Sequence, residues 1–373
     1  MYRHLIYPTL QRLEAERTHD ATLRLLSIVE RSSLARRLTG RMLSVDDDCL
    51  DANVAGIRFH NPIGVAAGLD KNAVAVQTWG ALGFGHVEIG TVTPQPQLGN
   101  PKPRVFRLPE DRALINRMGF PGQGMHVVQS RLSRLRSDRL VVGANLGANK
   151  SSVEAGRAAE DYVAVLRCLY QHADYFTINV SSPNTARLRD LQGPEALAAL
   201  IAQVVACRDG MDQRKPIFLK IAPDLEQHDL EAIVEVCLDQ RIDGIIATNT
   251  TIARPATLHG TAREQIGGLS GLPLRDRSTE VIRTVHRLAS GQLPIIGVGG
   301  VFCAADVWDK LCAGASLVQV YTGLIYEGPL MARRIKRELI ALLDRHGVRS
   351  VSEIAGSGSL RQSERVTNNK GGE

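Results

Sequence analysis

One theme recurs along the middle of the chain and constrains its fold more than any other feature. A short run rich in Val, Ile and Ala ends in Gly, Asn, Ser or Thr and is followed by a helical pattern. The runs are IGVAAG (63–68), HVEIGTV (86–92), LVVGANLG (140–147), YFTINVS (175–181), PIFLKIAP (216–223), GIIATNT (244–250), PIIGVGG (294–300) and LVQVYTG (317–323). Such short continuous apolar runs suit strands buried on both faces. The amphipathic stretches that follow, at 72–83, 122–136, 154–172, 194–208, 226–240, 276–289, 304–313 and 328–345, predict one helix per strand. Eight evenly spaced βα pairs predict an α/β fold, the eight-stranded parallel (β/α) TIM barrel, in preference to an open doubly wound sheet. CLDANVAGIRFHNP (49–62) predicts a hairpin plugging the far end. In this architecture chemistry sits on the loops after the carboxyl ends of the strands, so the two longest connections, 93–121 and 251–275, are expected to form a rim or lid.

The 373 residues, 44% apolar, suffice for one large core with an appendage. The expected division is a helical segment at 1–45, the barrel at 46–345 and a polar, Gly/Ser-rich flexible tail at 346–373. The net charge of +6 is spread among interspersed acids, which leaves no nucleic-acid footprint. Six cysteines without a CxxC pair read as reduced core residues. No stretch approaches the ~20 apolar residues that span a bilayer, and the amino terminus shows neither a signal-peptide run nor a transit peptide, from which a bacterial origin is expected.

Several loop ends offer chemistry. GVGG (297–300) and YTG (321–323), after the seventh and eighth strands, stand where this architecture builds phosphate sites from backbone amides. Lys71 and Lys220 occupy mouth-facing or inward positions, where an unpaired cation costs on the order of several kcal/mol. Each therefore asks for a nearby anion or a structural ion pair; Lys220, with no acid beside it in its strand, reads as ligand-facing. Asn116, Asn145, Asn179, Asn184 and Asn249 all fall near loop ends. Singly each could serve an Asx turn, but together they suit a flat heterocycle with alternating N–H and C=O groups. Ser182 sits in SSPN after a strand, and none of the ten histidines lies at the carboxyl end of a strand, which disfavours a triad. Two readings remain for it: a hydroxyl that relays a proton from a carbon acid, and a turn residue. A Schiff-base lyase on Lys220 and a barrel that only binds are the rival functions.

AAGLDKN (66–72), IGTVTPQPQLGNPKPRVFRL (89–108), LINRMGF (114–120), NVSSPNT (179–185), KIAPDL (220–225), ATNTT (247–251), GGLSG (267–271), IIGVGGV (295–301) and GASLVQVYTG (314–323) together resemble the dihydroorotate dehydrogenase family over residues 1–340. Ser182, where soluble members carry cysteine, and the basic amino-terminal extension resemble the membrane-associated, quinone-dependent class (class 2). The resemblance implies FMN-dependent oxidation of (S)-dihydroorotate to orotate in pyrimidine synthesis. In it, Ser182 takes the C5 proton, hydride passes to the flavin, and a membrane quinone accepts the electrons. It assigns Ala67, Gly68, Lys71, Thr91, Asn145, Asn179, Lys220, Thr248, Gly271, Gly300, Tyr321 and Thr322 to FMN. Lys220 would meet the charge that builds at flavin N1 and C2=O. The substrate would be met by Lys71, Asn116, Asn179, Asn184, Asn249 and Thr250, framed by Arg117, Met118, Gly119 and Phe120. His19, Arg107 and Tyr321 match positions near the quinone head. Two departures stand out: Ala148 where relatives carry lysine, and Thr322 for serine.

Residues 1–45 hold eight arginines against four acids, with Leu5, Ile6, Leu10, Leu13, then Leu23, Leu26, Val29, then Leu34 and Leu38 at helical spacing. The pattern fits a helical hairpin packed on the barrel and also helices lying on an anionic membrane surface. With the resemblance, it implies a monomeric peripheral protein on the cytoplasmic side of a cell membrane, with no metal site.

Overall fold

The computed structural model describes residues 2–135 and 140–358. The predicted hairpin is present as β1 (Ala52–Val54) and β2 (Ile57–Phe59), paired antiparallel with Ala52 opposite Phe59. Its two turn residues, Ala55 and Gly56, both have positive φ (50° and 80°), the tight turn whose twist matches that of the strands.

The remaining strands follow in order: β3 (Ile63–Val65), β4 (His86–Val92), β5 (Val105–Leu108), β6 (Ala113–Asn116), β7 (Val141–Leu146), β8 (Tyr175–Asn179), β9 (Ile217–Ile221), β10 (Gly244–Ala247), β11 (Gly268–Gly271), β12 (Ile295–Val298) and β13 (Leu317–Val320). Eight of them close a parallel barrel in the order β3-β4-β7-β8-β9-β10-β12-β13, so the expected TIM barrel is what the chain forms. Large and small residues interlock inside it. A Cβ on Gly64 would lie 2.1 Å from the His86 ring, one on Gly143 2.1 Å from the Tyr175 ring, and one on Gly244 2.5 Å from the Phe218 ring. Each glycine is the space into which a ring on a neighbouring strand fits. Phe59 of the hairpin meets His86 edge-on, with centroids 5.3 Å apart, and closes the amino-terminal end.

The helices differ from expectation at their ends, for local reasons. The first, expected over 72–83, covers only Val76–Ala81 because Asp70 accepts from Val74 N (2.7 Å) and Ala75 N (2.8 Å) and fixes a turn there. The pattern at 154–172 divides into Lys150–Glu154 and Ala158–Leu169 around Gly156, whose φ is +69°. The one expected over 122–136 spans Met125–Leu132, and the last begins after Gly328 as Met331–His346, preceded by a short helix, Thr322–Glu327. Part of the expected tail packs onto the barrel: Val351 and Ile354 are buried, and Gly356 N donates to Leu311 O at 3.0 Å. Residues 359–373 lie outside the described residues.

The two long connections are more than loops. They supply β5, β6 and β11, which form one antiparallel sheet in the order β11-β6-β5 with its own small core of Leu108, Ala113, Ile115, Leu258 and Leu269. Amino-terminal to the barrel, helices Ala15–Glu30 and Ser33–Leu43 lie beside it. The Glu30 carboxylate accepts from Gln77 N (3.1 Å) and Thr78 N (2.8 Å), capping helix Val76–Ala81 from outside. No helix among the described residues is long and apolar enough to cross a membrane.

Candidate active site

Parallel strands bring all their carboxyl ends to one mouth, and a cavity of about 480 Å³ opens there and continues out between the amino-terminal helices. Every expected site residue borders it except Asn145 and Arg117. Asn145 lies just behind, fully buried, and accepts from Thr91 Oγ1 (2.5 Å) and Asn179 Nδ2 (3.0 Å). Arg117 turns outward, stacking on Phe106 and donating to Gln265 Oε1 at 2.9 Å.

The five asparagines form two groups. Asn145, Asn179 and Asn249 make a chain, with Asn249 Nδ2 donating to Ser181 Oγ at 3.0 Å and to Asn179 Oδ1 at 3.5 Å. In the second group Asn184 Nδ2 donates to Asn116 Oδ1 at 3.1 Å. Carboxamides from both groups thus line one cavity, and Thr250 Oγ1, buried beside it, has no hydrogen-bond partner among the described residues. At the floor, Lys220 is buried, and burial pulls its pKa down while Glu88 pushes it back up. Glu88 Oε1 lies 3.9 Å from Lys220 Nζ, so the sequence-based view of a lysine without an acid is corrected: the acid comes from β4 through the barrel interior. The alternation in HVEIGTV, which sets Glu88 on the same side as Gly90, carried the signal.

At the opposite edge the turns after β12 and β13 come so close that only glycine fits. A Cβ on Gly300, at φ +69°, would be 2.3 Å from Arg275 Cα, and one on Gly323 would be 1.9 Å from Val301 O. The amides of Gly300, Val301, Thr322 and Gly323 donate to no backbone carbonyl among the described residues. That is a cradle of free donors suited to an anion.

Ser182, 5% exposed, accepts from Asn184 N at 3.3 Å, so it does fix the turn while its hydroxyl faces the cavity. Sequence reasoning missed what holds this loop. Arg189 donates to Ser181 O (3.0 Å), to Thr250 O (3.1 Å) and to Asp224 Oδ2 (2.8 Å), tying the loops after β8, β9 and β10 together. Lys71 donates to Gly68 O at 2.5 Å, and desolvation brings its pKa to about 8. Ala148, the departure noted above, is fully buried among the barrel's apolar side chains.

Farther out, His19, Arg107 and Tyr321 share the cavity wall with Tyr2, Leu10, Leu23 and Leu26. Tyr321 reaches inward, its hydroxyl donating to Gly68 O at 3.1 Å. Burial, assisted by the Lys71 ammonium, lowers the His19 pKa to about 3 and keeps the imidazole neutral.

Fold and site together define a barrel enzyme with its polar machinery at the carboxyl ends of the strands and an apolar passage leading outward from it. The family model described as dihydroorotate dehydrogenase matches residues 49–343. The mouse protein named dihydroorotate dehydrogenase (quinone), mitochondrial, is 47% identical over 365 residues, covering 95% of this chain and 90% of its own length. The Rhodospirillum rubrum dihydroorotate dehydrogenase (quinone) is 48% identical over 355 residues, covering 95% and 94%. Among solved structures, that of the Eimeria tenella enzyme in complex with ferulenol superposes with a TM-score of 0.81 at 38% identity, covering 87% of this chain and 95% of that one. The chain belongs to the dihydroorotate dehydrogenase family, and it is an oxidoreductase.

Proposed function

We propose that the chain oxidises (S)-dihydroorotate to orotate in pyrimidine synthesis with FMN as its cofactor, and that a membrane quinone reoxidises it at the cytoplasmic face of a cell membrane. The observation that carries the reading is that a hydroxyl, Ser182, and an ammonium, Lys220, open on the same cavity as four carboxamides, Asn116, Asn179, Asn184 and Asn249. The relatives named for a quinone acceptor support the choice of substrate and acceptor. FMN supplies, when bound, a ring that accepts hydride.

The donor set suits that cofactor. The glycine-walled cradle at Gly300 and Gly323 offers unpaired amides for a phosphate, with Thr322 adding a hydroxyl. Thr91, Asn145 and Asn179 present an ordered polar edge that would hold the flavin ring, and Lys220 would supply positive charge to the ring on reduction. On the substrate side Lys71 would bind the carboxylate, and Asn116, Asn184, Asn249 and Thr250 the imide edge. Ser182 would remove the C5 proton. Its high intrinsic pKa requires onward transfer, for which Thr185, buried in the same loop, would supply a hydroxyl. His19, Arg107 and Tyr321 would line the quinone's approach.

The test is an anaerobic comparison of wild type with Ser182→Ala. The variant should keep its flavin, while bleaching by dihydroorotate slows roughly 10²- to 10⁴-fold, the worth of a positioned base. Unchanged bleaching would remove Ser182 from the reaction, and a protein that takes up no flavin would end the proposal.

A further inference from the structure

We propose that Glu88, which does not border the cavity, tunes the redox potential of the bound flavin through Lys220. The proposal rests on the FMN reading above and deepens it.

Glu88 is fully buried at the centre of the barrel. Its Oε1 accepts from Asn145 Nδ2 at 2.6 Å and faces Lys220 Nζ at 3.9 Å. Its Oε2 accepts from Gln319 Nε2 at 2.9 Å and from Tyr175 OH at 3.4 Å. Three neutral donors on three strands thus surround the carboxylate behind Lys220, an ammonium that opens on the cavity. Stability alone is a poor explanation for such a pair, because apolar residues of similar volume often serve as well or better in a buried position. Its charge has a clearer use. Hydride brings the flavin two electrons and one proton, leaving one negative charge on the edge nearest Lys220. Lys220 attracts that charge, and Glu88, farther away, repels it. The carboxylate therefore reduces the stabilisation of the reduced form and keeps the electron pair easy to pass on.

Neutralising Glu88 has two consequences of known sign. With Lys220 still protonated, the reduced flavin is held more tightly and the potential rises. Lys220 also loses the partner that opposes its desolvation, so it gives up its proton more readily in the oxidised state and recovers one from solvent on reduction. The potential of the variant should then fall more steeply with pH. The titratable groups facing this centre are Glu88, Lys220 and Tyr175; Asn145, Gln319 and Thr177 are uncharged.

The experiment measures the flavin midpoint potential of holo wild type and Glu88→Gln against redox dyes, from pH ~6 upward. At pH ~6 the reduced-to-oxidised ratio at a fixed applied potential should rise at least about tenfold, an upward shift of ~30 mV for a two-electron couple, with a steeper slope at higher pH. Tyr175→Phe keeps the ring volume, removes one donor from the carboxylate and should shift the potential upward by less, most at low pH. Potentials and slopes unchanged in whichever of these variants folds and binds FMN would overturn the proposal. A wild-type protein that takes up no flavin would instead remove the reading beneath it.

Discussion

His86 occupies the hollow left by Gly64 at the closed end of the barrel, with neither ring nitrogen hydrogen-bonded among the described residues. Burial alone lowers its pKa from 6.5 to about 3. The unfolded chain takes up a proton there near neutrality and the folded chain does not, so this residue's contribution is fully present above the unfolded value and is lost as pH falls through the window down to about 3. Between pH ~6.5 and ~5 the loss amounts to about 2 kcal/mol. His86→Phe, which keeps a ring against Phe59, should flatten the pH dependence of denaturant midpoints over that range by this amount; parallel curves for the two proteins would contradict the account. Lys71 works in the opposite part of the scale. Its pKa near 8 means that the free enzyme loses this cation, proposed to bind the substrate carboxylate, as pH rises through that value. Apparent affinity for dihydroorotate should decline there, and Lys71→Met should weaken it roughly 10- to 100-fold, the worth of a charged hydrogen bond, read as a rise in the concentration needed for half-maximal flavin bleaching.

Between residue and fold stand the loops after β8, β9 and β10, the first and last of which carry Ser182, Asn184, Asn249 and Thr250, proposed to meet the substrate. Arg189 joins them, with Asp224 also accepting from Thr251 Oγ1 and from Ile252 N (3.2 Å). Removing the guanidinium frees Ser182 from its partner loop without touching the amide cradle at the opposite edge. Arg189→Met should therefore retain flavin and lower the rate of bleaching about tenfold or more at saturating dihydroorotate, because misplacement of a reacting group acts on the chemical step; full rate with weakened affinity would count against a positioning role. None of these partners could be read from the sequence, since Arg189, Asp224 and Thr251 are far apart in the chain and ordinary in their local settings. The eight barrel strands were legible for the opposite reason: each is a continuous apolar run bounded by glycine or polar residues. β5, β6 and β11 have only four residues each, and two of those in β11 are glycine, so no period marks them. The residues proposed for the site were singled out because they repeat the ordered motifs of a family, and the structure brings most of them to one cavity. Glu88 was passed over because it lies beneath that layer.

On the scale of the whole molecule, the described residues fall into a barrel with a filled interior and an amino-terminal pair of helices whose outer side is apolar. Eight of the thirteen large hydrophobic side chains that stand exposed among the described residues lie between Leu5 and Met42, including Leu25, Ile28, Leu34 and Leu38. The helices are nonetheless fastened to the barrel. Glu16 pairs with Arg104 (2.6 Å) and Lys102 (3.3 Å), Arg107 donates to Leu13 O (2.6 Å), and Tyr2 donates to Ile325 O (2.9 Å). The stripe containing Leu34 and Leu38, which a simple packed hairpin would bury, faces away from the protein, while Leu23 and Leu26 turn toward the cavity. An exposed apolar surface rich in arginine is suited to the interface of an anionic bilayer. In that orientation the cavity's outer mouth, between the same helices, would open toward the lipid. Placing carboxylates on the outer side separates this role from the chemistry. Ile28→Asp with Leu38→Asp removes two side chains each worth ~1.5–3 kcal/mol on burial, so binding to anionic vesicles should weaken about a hundredfold or more in sedimentation assays. Turnover with a long-tailed quinone in those vesicles should fall with it, whereas anaerobic bleaching of the flavin by dihydroorotate in solution should stay at the wild-type rate, since neither residue borders the cavity. Vesicle binding at wild-type strength would assign this surface to a protein partner.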